Sequence, residues 1–188
     1  MLPPLYTVDA DGRPLHSWRV LILPSLFAGH ELHRTHLELY RQIRLDEPWD
    51  SEHNRQFHDR MPAIFRCPDS PGQGKTVYSV IAGEAFIPAA ATNQMTGRGM
   101  NAMTDGTSMT LGIVEVREPF NWMDPTADIT LDELVQGINS DGRVGSYHPG
   151  GCYVGFLDGT ARFLSDSTDS ATLRALGTRA GGERVMIP

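Results

Sequence analysis

The sequence predicts an α+β fold in which a small antiparallel β-sheet packs against helices, with long loops between the elements. Residues 25–45 carry a helical apolar pattern, residues 76–81 and 110–116 are rich in β-branched side chains, and Asp158-Gly159 joins two apolar runs. A length of 188 residues with 40% hydrophobic side chains suits one globular domain over residues 1–188.

The composition argues against two classes of partner. A net charge of -7 with scattered arginines disfavours nucleic acid, whose phosphates require clustered Lys and Arg. The longest apolar stretch, residues 18–23, contains Arg19 and ends at Pro24, so it is shorter than the ~20 residues that span a bilayer. Pro3 and Pro4 do not fit a signal peptide. Taken alone, these features predict a soluble cytoplasmic product.

The first predicted elements are short. Residues 9–12 predict a turn between two extended pieces, because Asp-Gly is a strong turn dipeptide. Their Asp-x-Asp-Gly pattern resembles the start of a calcium loop, but the acidic ligands that should follow are missing. The sequence therefore leaves a structural calcium open and predicts no other cofactor. Residues 17–23 fit either a helix or a strand.

Helices are predicted in the next stretch of the chain. Residues 25–45 carry apolar side chains at helical spacing. A shorter helix is predicted over residues 51–61, where Pro62 ends it. Residues 63–65 predict a buried extended piece that leads to the first cysteine.

Two central strands are predicted over residues 76–81 and 110–116 from their β-branched and aromatic content. The turn dipeptide Asp105-Gly106 precedes the second strand. Residues 82–101, rich in Ala, Gly and Met, predict a long irregular loop.

A short helix is predicted to begin after residue 130. Thr130 and Glu133 stand three residues apart, as in a capping box, and Ile129 and Leu134 can form a hydrophobic staple around them. Gly137 limits this helix to about two turns.

A β-hairpin is the best-specified element. Residues 152–157 and 160–164 flank Asp158-Gly159, the preferred two-residue type I′ turn. A last helix is predicted over residues 169–176 and is ended by Gly177 as a C-cap. The pairs that follow from the two-residue turn are Phe156 with Ala161 and Val154 with Phe163, on one apolar face with Cys152. The opposite face would carry Tyr153, Gly155, Arg162 and Leu164.

The histidine-rich stretch offers weak candidates for metal ligands. His30, His33 and His36 follow one another at i, i+3 spacing. A metalloprotease helix needs two His four residues apart, but Arg34 occupies the fourth position after His30. A solvated helix face is the favoured interpretation, since a metal site also needs further ligands.

Ser146, His148 and Asp158 supply the residue types of a catalytic triad, but no oxyanion-hole segment accompanies them. Pro149-Gly150-Gly151 follows His148 and demands special backbone geometry. The sequence therefore predicts a structural role, in which His148 ties this loop to the hairpin, and no catalytic residue.

Cys67 and Cys152 are too few for a disulfide scaffold. In an oxidising compartment they allow one long-range bridge. The alternative is a pair of buried thiols, because Cys is among the most buried residues.

Several segments together resemble a prepilin-like family of unknown function that is expanded in planctomycete bacteria and is also filed as bacterial solute-binding family 10. His148, nine residues and then Asp158-Gly159 resemble the C-terminal signature of that family. The remaining segments that resemble it are residues 6–9, 16–24, 43–51, 65–68, 104–108, 173–176 and 178–183. The resemblance spans almost the whole chain in order.

This resemblance implies a non-enzymatic, pilin-like or pseudopilin-like subunit. Relatives carry a prepilin-type leader and one long apolar helix, which would precede Met1 and anchor the protein in the inner membrane. The expected location is then the periplasm or the cell surface. The expected partners are copies of the same subunit or the machinery of a type IV pilus or type II secretion system, with no nucleic acid.

Two rival functions remain open. One is a membrane-tethered binding module for a small molecule or glycan, which would use residues 82–101 and aromatics such as Trp122. The other is a metal-dependent hydrolase that would use the histidine-rich helix, with three or more ligands around one ion.

Overall fold

The computed structural model describes residues 2–72, 74–84, 89–91 and 99–183, and its fold is α+β, as the sequence predicts. The strands are β1 (Tyr6–Val8), β2 (Pro14–Ser17), β3 (Lys75–Ser79), β4 (Ala89–Ala91), β5 (Leu111–Asn121), β6 (Gly151–Phe156) and β7 (Ala161–Ser165). The α-helices are α1 (Trp18–Leu21), α2 (Glu31–Gln42), α3 (Leu131–Leu134) and α4 (Ser170–Gly177). Short 3₁₀ turns cover Leu23–Ser25, Asn54–Phe57, Ala63–Phe65 and Met100–Ala102.

The strands form two sheets. The smaller has the order β2-β1-β4, with β1 antiparallel to β2 and parallel to β4. The larger has the order β3-β5-β6-β7, and all its pairs are antiparallel. The 11-residue strand β5 lies in the interior of this sheet and carries the residue on which the candidate site is built.

The strands predicted from local composition are confirmed. β3 ends at Ser79, and Ile81 continues as an isolated bridge to Ile129. β5 extends the predicted segment as far as Asn121. The predicted turn over residues 9–12 joins β1 to β2. Of the long loop predicted over residues 82–101, the structure describes residues 82–84, 89–91 and 99–101, and within it the short strand β4 was missed.

The first long helix is shorter than residues 25–45. Phe27 adopts a left-handed φ of 55°, which interrupts a right-handed helix. α2 begins only after His30, whose Nδ1 accepts a hydrogen bond from the Leu32 N–H at 3.2 Å. This ring acts as an N-cap, so the helix starts where the first backbone N–H groups find an acceptor.

The helix predicted over residues 51–61 is wrong. Only the 3₁₀ turn Asn54–Phe57 forms there, because polar side chains bond to nearby backbone instead. Ser51 Oγ accepts from the Asn54 N–H at 3.1 Å, and Asn54 Nδ2 donates to Arg44 O and Pro48 O, each at 2.9 Å.

The extended piece predicted over residues 63–65 is also wrong. The segment forms the 3₁₀ turn Ala63–Phe65, in which Phe65 is buried while Ile64 is 46% exposed. In a turn of this kind only Phe65 points into the core, whereas an extended strand was expected to bury the segment 63–65.

The capping box is confirmed. Thr130 Oγ1 accepts from the Glu133 N–H at 3.2 Å, and Glu133 Oε2 accepts from the Thr130 N–H at 2.8 Å. The helix that it opens, α3, is a single turn.

The C-terminal helix α4 lies where it was predicted, but the role assigned to Gly177 is wrong. Gly177 is the last helical residue, and the capping residue after it is Thr178. A Cβ at Gly177 would lie 2.6 Å from Leu134 Cδ2 and 2.7 Å from Leu131 Cδ1. Glycine therefore allows α4 to pack closely on α3.

The hairpin exists, but its predicted register is wrong by one residue on the second strand. Tyr153 pairs with Phe163 and Val154 with Arg162. The Gly159 N–H donates to Phe156 O at 3.0 Å, and Gly159 has a φ of 88°. This is a three-residue loop in which the left-handed glycine forms a bulge, rather than the two-residue turn.

The shift exchanges the two faces of β7, because side chains alternate across a strand. Leu164 is 1% exposed and packs with Val154 and Phe156, whereas Phe163 is 41% exposed. The predicted faces of β6 are correct and those of β7 are inverted.

The buried side chains form two clusters. The aliphatic cluster lies between the larger sheet and the helices α3 and α4, and it includes Val114, Val154, Leu134, Leu173 and Leu176. The aromatic cluster is built mainly from the N-terminal half, and it includes Trp18, Phe57, Phe65 and, from further along the chain, Trp122. In the described part of the chain, none of the helices combines the length and the hydropathy that crossing a bilayer requires.

A buried ion pair connects the two halves of the chain. Arg19 Nη2 lies 2.8 Å from Asp128 Oδ1, and the two side chains are 0% and 1% exposed. Arg19 also donates to Tyr78 O at 2.6 Å, while Asp128 accepts from the Val80 N–H at 3.0 Å. The arginine that interrupts the longest apolar stretch is therefore an interior residue, satisfied by partners far away in sequence.

Candidate functional site

The loop before β6 holds His148 in a fixed position. Ser146 Oγ donates to Gly151 O at 2.7 Å and accepts from the His148 N–H at 2.9 Å. Asn139 supports the loop from the other side, since its Oδ1 accepts from the Ser146 N–H at 3.0 Å. Ser146 and Asn139 therefore hold the backbone of this loop.

Glycine is required at the end of this loop. Gly150 has a φ of 82°, and a Cβ at Gly151 would lie 2.0 Å from Leu164 O on the neighbouring strand. Only glycine allows β6 to approach β7 directly after the loop. The backbone that presents His148 therefore depends on both positions.

The His148 ring lies among three side chains from two other segments of the chain, the 67–70 turn and β5. Its Nδ1 is 3.0 Å from Asp69 Oδ2, and its Nε2 is 3.4 Å from Glu115 Oε1 and 3.9 Å from Cys67 Sγ. The ring also meets Tyr153 edge to face, with centroids 5.0 Å apart. We call Cys67, Asp69, Glu115 and His148 the histidine cluster.

Each partner is placed by its own element. Cys67 follows the 3₁₀ turn Ala63–Phe65, and its carbonyl accepts from the Ser70 N–H at 3.2 Å, which turns Asp69 toward the ring. Glu115 lies within β5, and the Tyr153 N–H donates to its Oε2 at 2.8 Å. Cys67 and Glu115 are each only 2% exposed.

The surroundings of Glu115 disfavour further negative charge. Burial, with a contribution from the Glu115 carboxylate, raises the pKa of the Cys67 thiol. Burial, followed by the charges of Cys67 and Glu115, raises the pKa of Tyr78 to about 12. Burial and then Glu115 raise the pKa of Cys152 to about 12. These groups are therefore neutral at physiological pH, and Cys67 lacks the low pKa of a nucleophilic thiol.

The two cysteines are free and buried in the structure, so the bridge that the sequence allowed is not formed. Cys67 faces the histidine cluster, whereas Cys152 packs within the aliphatic cluster.

The histidines of α2 are engaged locally. His30 caps the helix, His33 Nδ1 is 3.0 Å from Leu26 O, and the His36 ring stacks on Phe27 with centroids 5.6 Å apart. Burial lowers the pKa of His36, and the nearby His33 lowers it further. The described ranges contain one group of three His, Cys, Asp or Glu side chains that lie close enough to share an ion. It consists of Cys67, Glu115 and His148.

The triad residue types do not form a triad. Asp158 lies at the hairpin turn, where its Oδ1 accepts from Thr160 Oγ1 at 2.7 Å and from the Thr160 N–H at 2.9 Å. These bonds lower the pKa of Asp158. The Ser146 hydroxyl donates to a backbone carbonyl, so it is not directed at His148 as a nucleophile would be.

Among the surface depressions are an apolar groove and a polar pocket that could accept a ligand or a partner. An apolar groove of about 360 Å³ is lined by residues that include Trp18, Ile22, Ile113, Gly155 and Ala161. We call this depression the apolar groove. A polar pocket of about 540 Å³ is lined by residues that include Arg117, Glu118, Asp141, Arg143 and Tyr147.

Trp122 does not line a binding surface. It is fully buried, and its Nε1 donates to Phe57 O at 3.3 Å and to His58 O at 3.1 Å. Its ring stacks on Phe65 with centroids 6.2 Å apart. The aromatic residue singled out for glycan binding is a core residue.

The fold and the histidine cluster define an α+β protein in which one loop histidine joins a central strand to a cysteine-containing turn. The chain belongs to the family described as a protein of unknown function (DUF1559), with the short name SBP_bac_10, whose profile matches residues 1–112 and 125–171. The matched segments contain Cys67, Asp69 and His148, while Glu115 lies between them. No curated protein and no solved structure matches the chain.

Sequence reasoning missed Glu115 and Asp69. The signal for Glu115 was weak, because alternation along β5 places it on the face opposite Val114 and Val116, where Ile113 is 36% exposed. Asp69 gave no comparable signal. It follows Cys67-Pro68 in a polar loop, and its proximity to His148 arises only from the tertiary fold.

Proposed function

We propose that the protein is a non-enzymatic, extracytoplasmic subunit of the pilin or pseudopilin type, which acts by assembly and contact. In this proposal an apolar helix precedes Met1, anchors the subunit in the inner membrane and packs against the described part of the chain. The resemblance of the sequence to prepilin-like proteins motivates it, and the apolar groove is the single observation that carries it.

The groove has the chemistry that an apolar helix requires. Gly112, Gly155 and Ala161 contribute little side-chain bulk, so a helix backbone can approach the sheet closely. Ile22 and Ile113 supply apolar surface beside them, and Ile113 is 36% exposed.

The position of the groove also supports the proposal. Leu2 and Pro3 are part of its lining. A helix that preceded them would therefore need only a short connection to reach the groove. The exposed aromatics Tyr153 and Phe163, whose ring centroids are 5.2 Å apart, add apolar surface on neighbouring strands of the same sheet.

Analysis of the mature protein in its native host tests this function. The proposal predicts a protein in the membrane fraction, with a mass above 20.7 kDa and an apolar, processed N-terminus ahead of residue 1. Intact-mass and N-terminal peptide spectrometry would read both properties. A matched control is the 188-residue chain expressed from Met1 in the same host, which should remain outside the membrane fraction. A native protein that begins at Met1 and behaves like this control would overturn the proposal.

A membrane-tethered binding module is the second candidate, and the polar pocket is the observation that favours it. Its volume of about 540 Å³ lies within the range of small-molecule sites. Its arginines are, however, engaged: Arg143 Nη2 donates to Ala127 O at 2.6 Å and Arg117 Nη1 to Ser140 O at 2.9 Å. A panel of glycans and small anions that raises the melting temperature of the wild type, but not of Tyr147→Ala, would favour this candidate.

A further inference from the structure

The buried side chain of Glu115 needs polar partners. Moving a carboxylate out of water costs several kcal/mol unless it is paired and hydrogen-bonded. Glu115 is 2% exposed, its Oε2 is satisfied by the Tyr153 N–H, and its Oε1 faces His148 Nε2 at 3.4 Å. The same imidazole also contacts the carboxylate of Asp69. Two carboxyl groups from different segments therefore converge on one ring.

The three inward-facing ligand atoms match a transition-metal site. The ligand atoms of Cys67, Glu115 and His148 all lie within 4.8 Å of one another. Zinc bonds of about 2.0–2.3 Å in a tetrahedron place N and O ligands about 3.4 Å apart, and N and S ligands about 3.6 Å apart. The observed separations are 3.4 Å for Nε2–Oε1 and 3.9 Å for Nε2–Sγ, so these two pairs lie within a few tenths of an ångström of the tetrahedral spacing.

The donor set selects the metal. A thiolate and an imidazole exclude calcium and magnesium, which prefer oxygen ligands alone. Sulfur, nitrogen and one carboxylate oxygen together suit Zn²⁺, and three protein ligands leave the fourth tetrahedral position for water.

The groups around the ligands have the arrangement that metal-binding histidines need. A ring that coordinates through Nε2 carries its proton on Nδ1, and Asp69 Oδ2 lies 3.0 Å from that atom. The Tyr153 N–H holds the second oxygen of Glu115, which fixes Oε1 toward His148. Asp69 is 59% exposed and the His148 side chain 18%, so an ion can reach the cluster from solvent beside them.

We propose that Cys67, Glu115 and His148 bind one Zn²⁺ ion, with Asp69 as the positioning residue for the His148 ring. Binding converts the Cys67 thiol to a thiolate and releases its proton to solvent, so the charge of the site balances. The ion joins the 67–70 turn, β5 and the loop before β6, which are distant in sequence. This site does not depend on the proposed assembly function, and it would serve equally in a binding module.

Metal binding by the folded chain tests the site. The chain is stripped with a chelator, and metal content is measured after dialysis against Zn²⁺ and, separately, Co²⁺. We expect one ion per chain, a higher melting temperature with Zn²⁺, and a thiolate-to-cobalt charge-transfer band. Cys67→Ala and His148→Gln should lose the ion and the band. The controls Cys152→Ala and His33→Gln, which change the other cysteine and the histidine-rich helix, should retain both.

If Cys67→Ala or His148→Gln fails to fold, Asp69→Asn still tests the site, because Asp69 is exposed and its substitution should not disturb folding. This variant should fold and bind zinc about 10–100-fold more weakly, as loss of a hydrogen-bond partner to a metal-bound histidine does. A folded wild type that binds no stoichiometric metal, or whose cobalt complex lacks the thiolate band, would overturn the proposal. Loss of metal from His33→Gln with retention in Cys67→Ala would overturn it as well, since the ion would then lie on α2.

Discussion

The aromatic cluster and the aliphatic cluster are held together by different means. Around the aliphatic cluster, strand pairing satisfies most of the backbone and the interior is filled by Leu, Ile and Val. Around the aromatic cluster, the chain is irregular and buried polar side chains bind its backbone directly. His16 Nε2 contacts Arg44 O at 3.1 Å and Glu47 O at 2.9 Å, and Asn54 contacts the backbone of the same segment.

The two regions should therefore lose stability through different kinds of substitution. A region built on sheet pairing loses stability chiefly when a packed apolar side chain is shortened. A region built on polar side chains loses stability when one of them is removed, because buried carbonyl and N–H groups are then left without partners. The Arg19–Asp128 pair belongs to both regions, so it should be the most sensitive position.

The largest effect is expected for Asp128→Ala. Its removal leaves the buried Arg19 guanidinium unpaired, and breaking a buried pair in this way costs about 3–5 kcal/mol in free energy of unfolding. Urea denaturation followed by circular dichroism would measure the loss. Asp132→Ala is the control, because Asp132 is 90% exposed and 3.8 Å from Arg174, and it should cost less than about 1 kcal/mol. Similar losses in free energy of unfolding for Asp128→Ala and Asp132→Ala would contradict the burial of the Arg19–Asp128 ion pair.

A smaller effect is expected in the aliphatic cluster. Leu173 is fully buried, so Leu173→Ala should reduce the free energy of unfolding by about 2–5 kcal/mol through lost burial and the cavity left behind. The same substitution at Leu32, which is 45% exposed on α2, should change it by about 0.5 kcal/mol or less. The comparison is made by chemical denaturation, and an equal cost at both sites would show that α4 does not pack as described.

The smallest effect concerns pH and belongs to the aromatic cluster. Burial lowers the pKa of His16 below its ordinary value, although hydrogen bonds to Arg44 and Glu47 oppose this. The unfolded chain then takes up the proton more readily. His16 therefore contributes stability that is present above the unfolded pKa of about 6.5 and is lost as the pH falls through the folded value.

The His16→Gln variant separates this contribution from other titrations, since an amide can donate to the same carbonyls but does not titrate. Urea midpoints measured from about pH 7.5 down to about pH 5.5 should fall less steeply for the variant than for the wild type. Parallel pH profiles would exclude His16 as the source.

The two regions also differed in how far the sequence predicted them. β3, β5 and the Thr130–Glu133 capping box follow from local patterns, because their signals lie within a few neighbouring residues. The helix predicted over residues 51–61 failed because Asn54 bonds to the backbone of a segment ten residues earlier. That partnership is tertiary, and no periodicity encodes it.

The candidate site shows the same limit. His148 was singled out, but its partners Cys67, Asp69 and Glu115 come from two other segments. Their meeting depends on how β5 pairs with β6 and on where the 67–70 turn packs. The inverted faces of β7 have a local cause. One additional loop residue, Leu157, changes the register of the whole strand.

The most direct test of the proposed function fills the apolar groove in the full-length protein. A Cβ at Gly155 would meet Ile113 Cβ at 3.6 Å, an ordinary contact, so Gly155→Trp can fold while its indole occupies the groove. Ala171→Trp, at an exposed position of α4, is the matched control. We expect Gly155→Trp to be folded and present but absent from high-molecular-weight surface assemblies, whereas Ala171→Trp should sediment with them. Assemblies that contain both variants in equal amounts would contradict it.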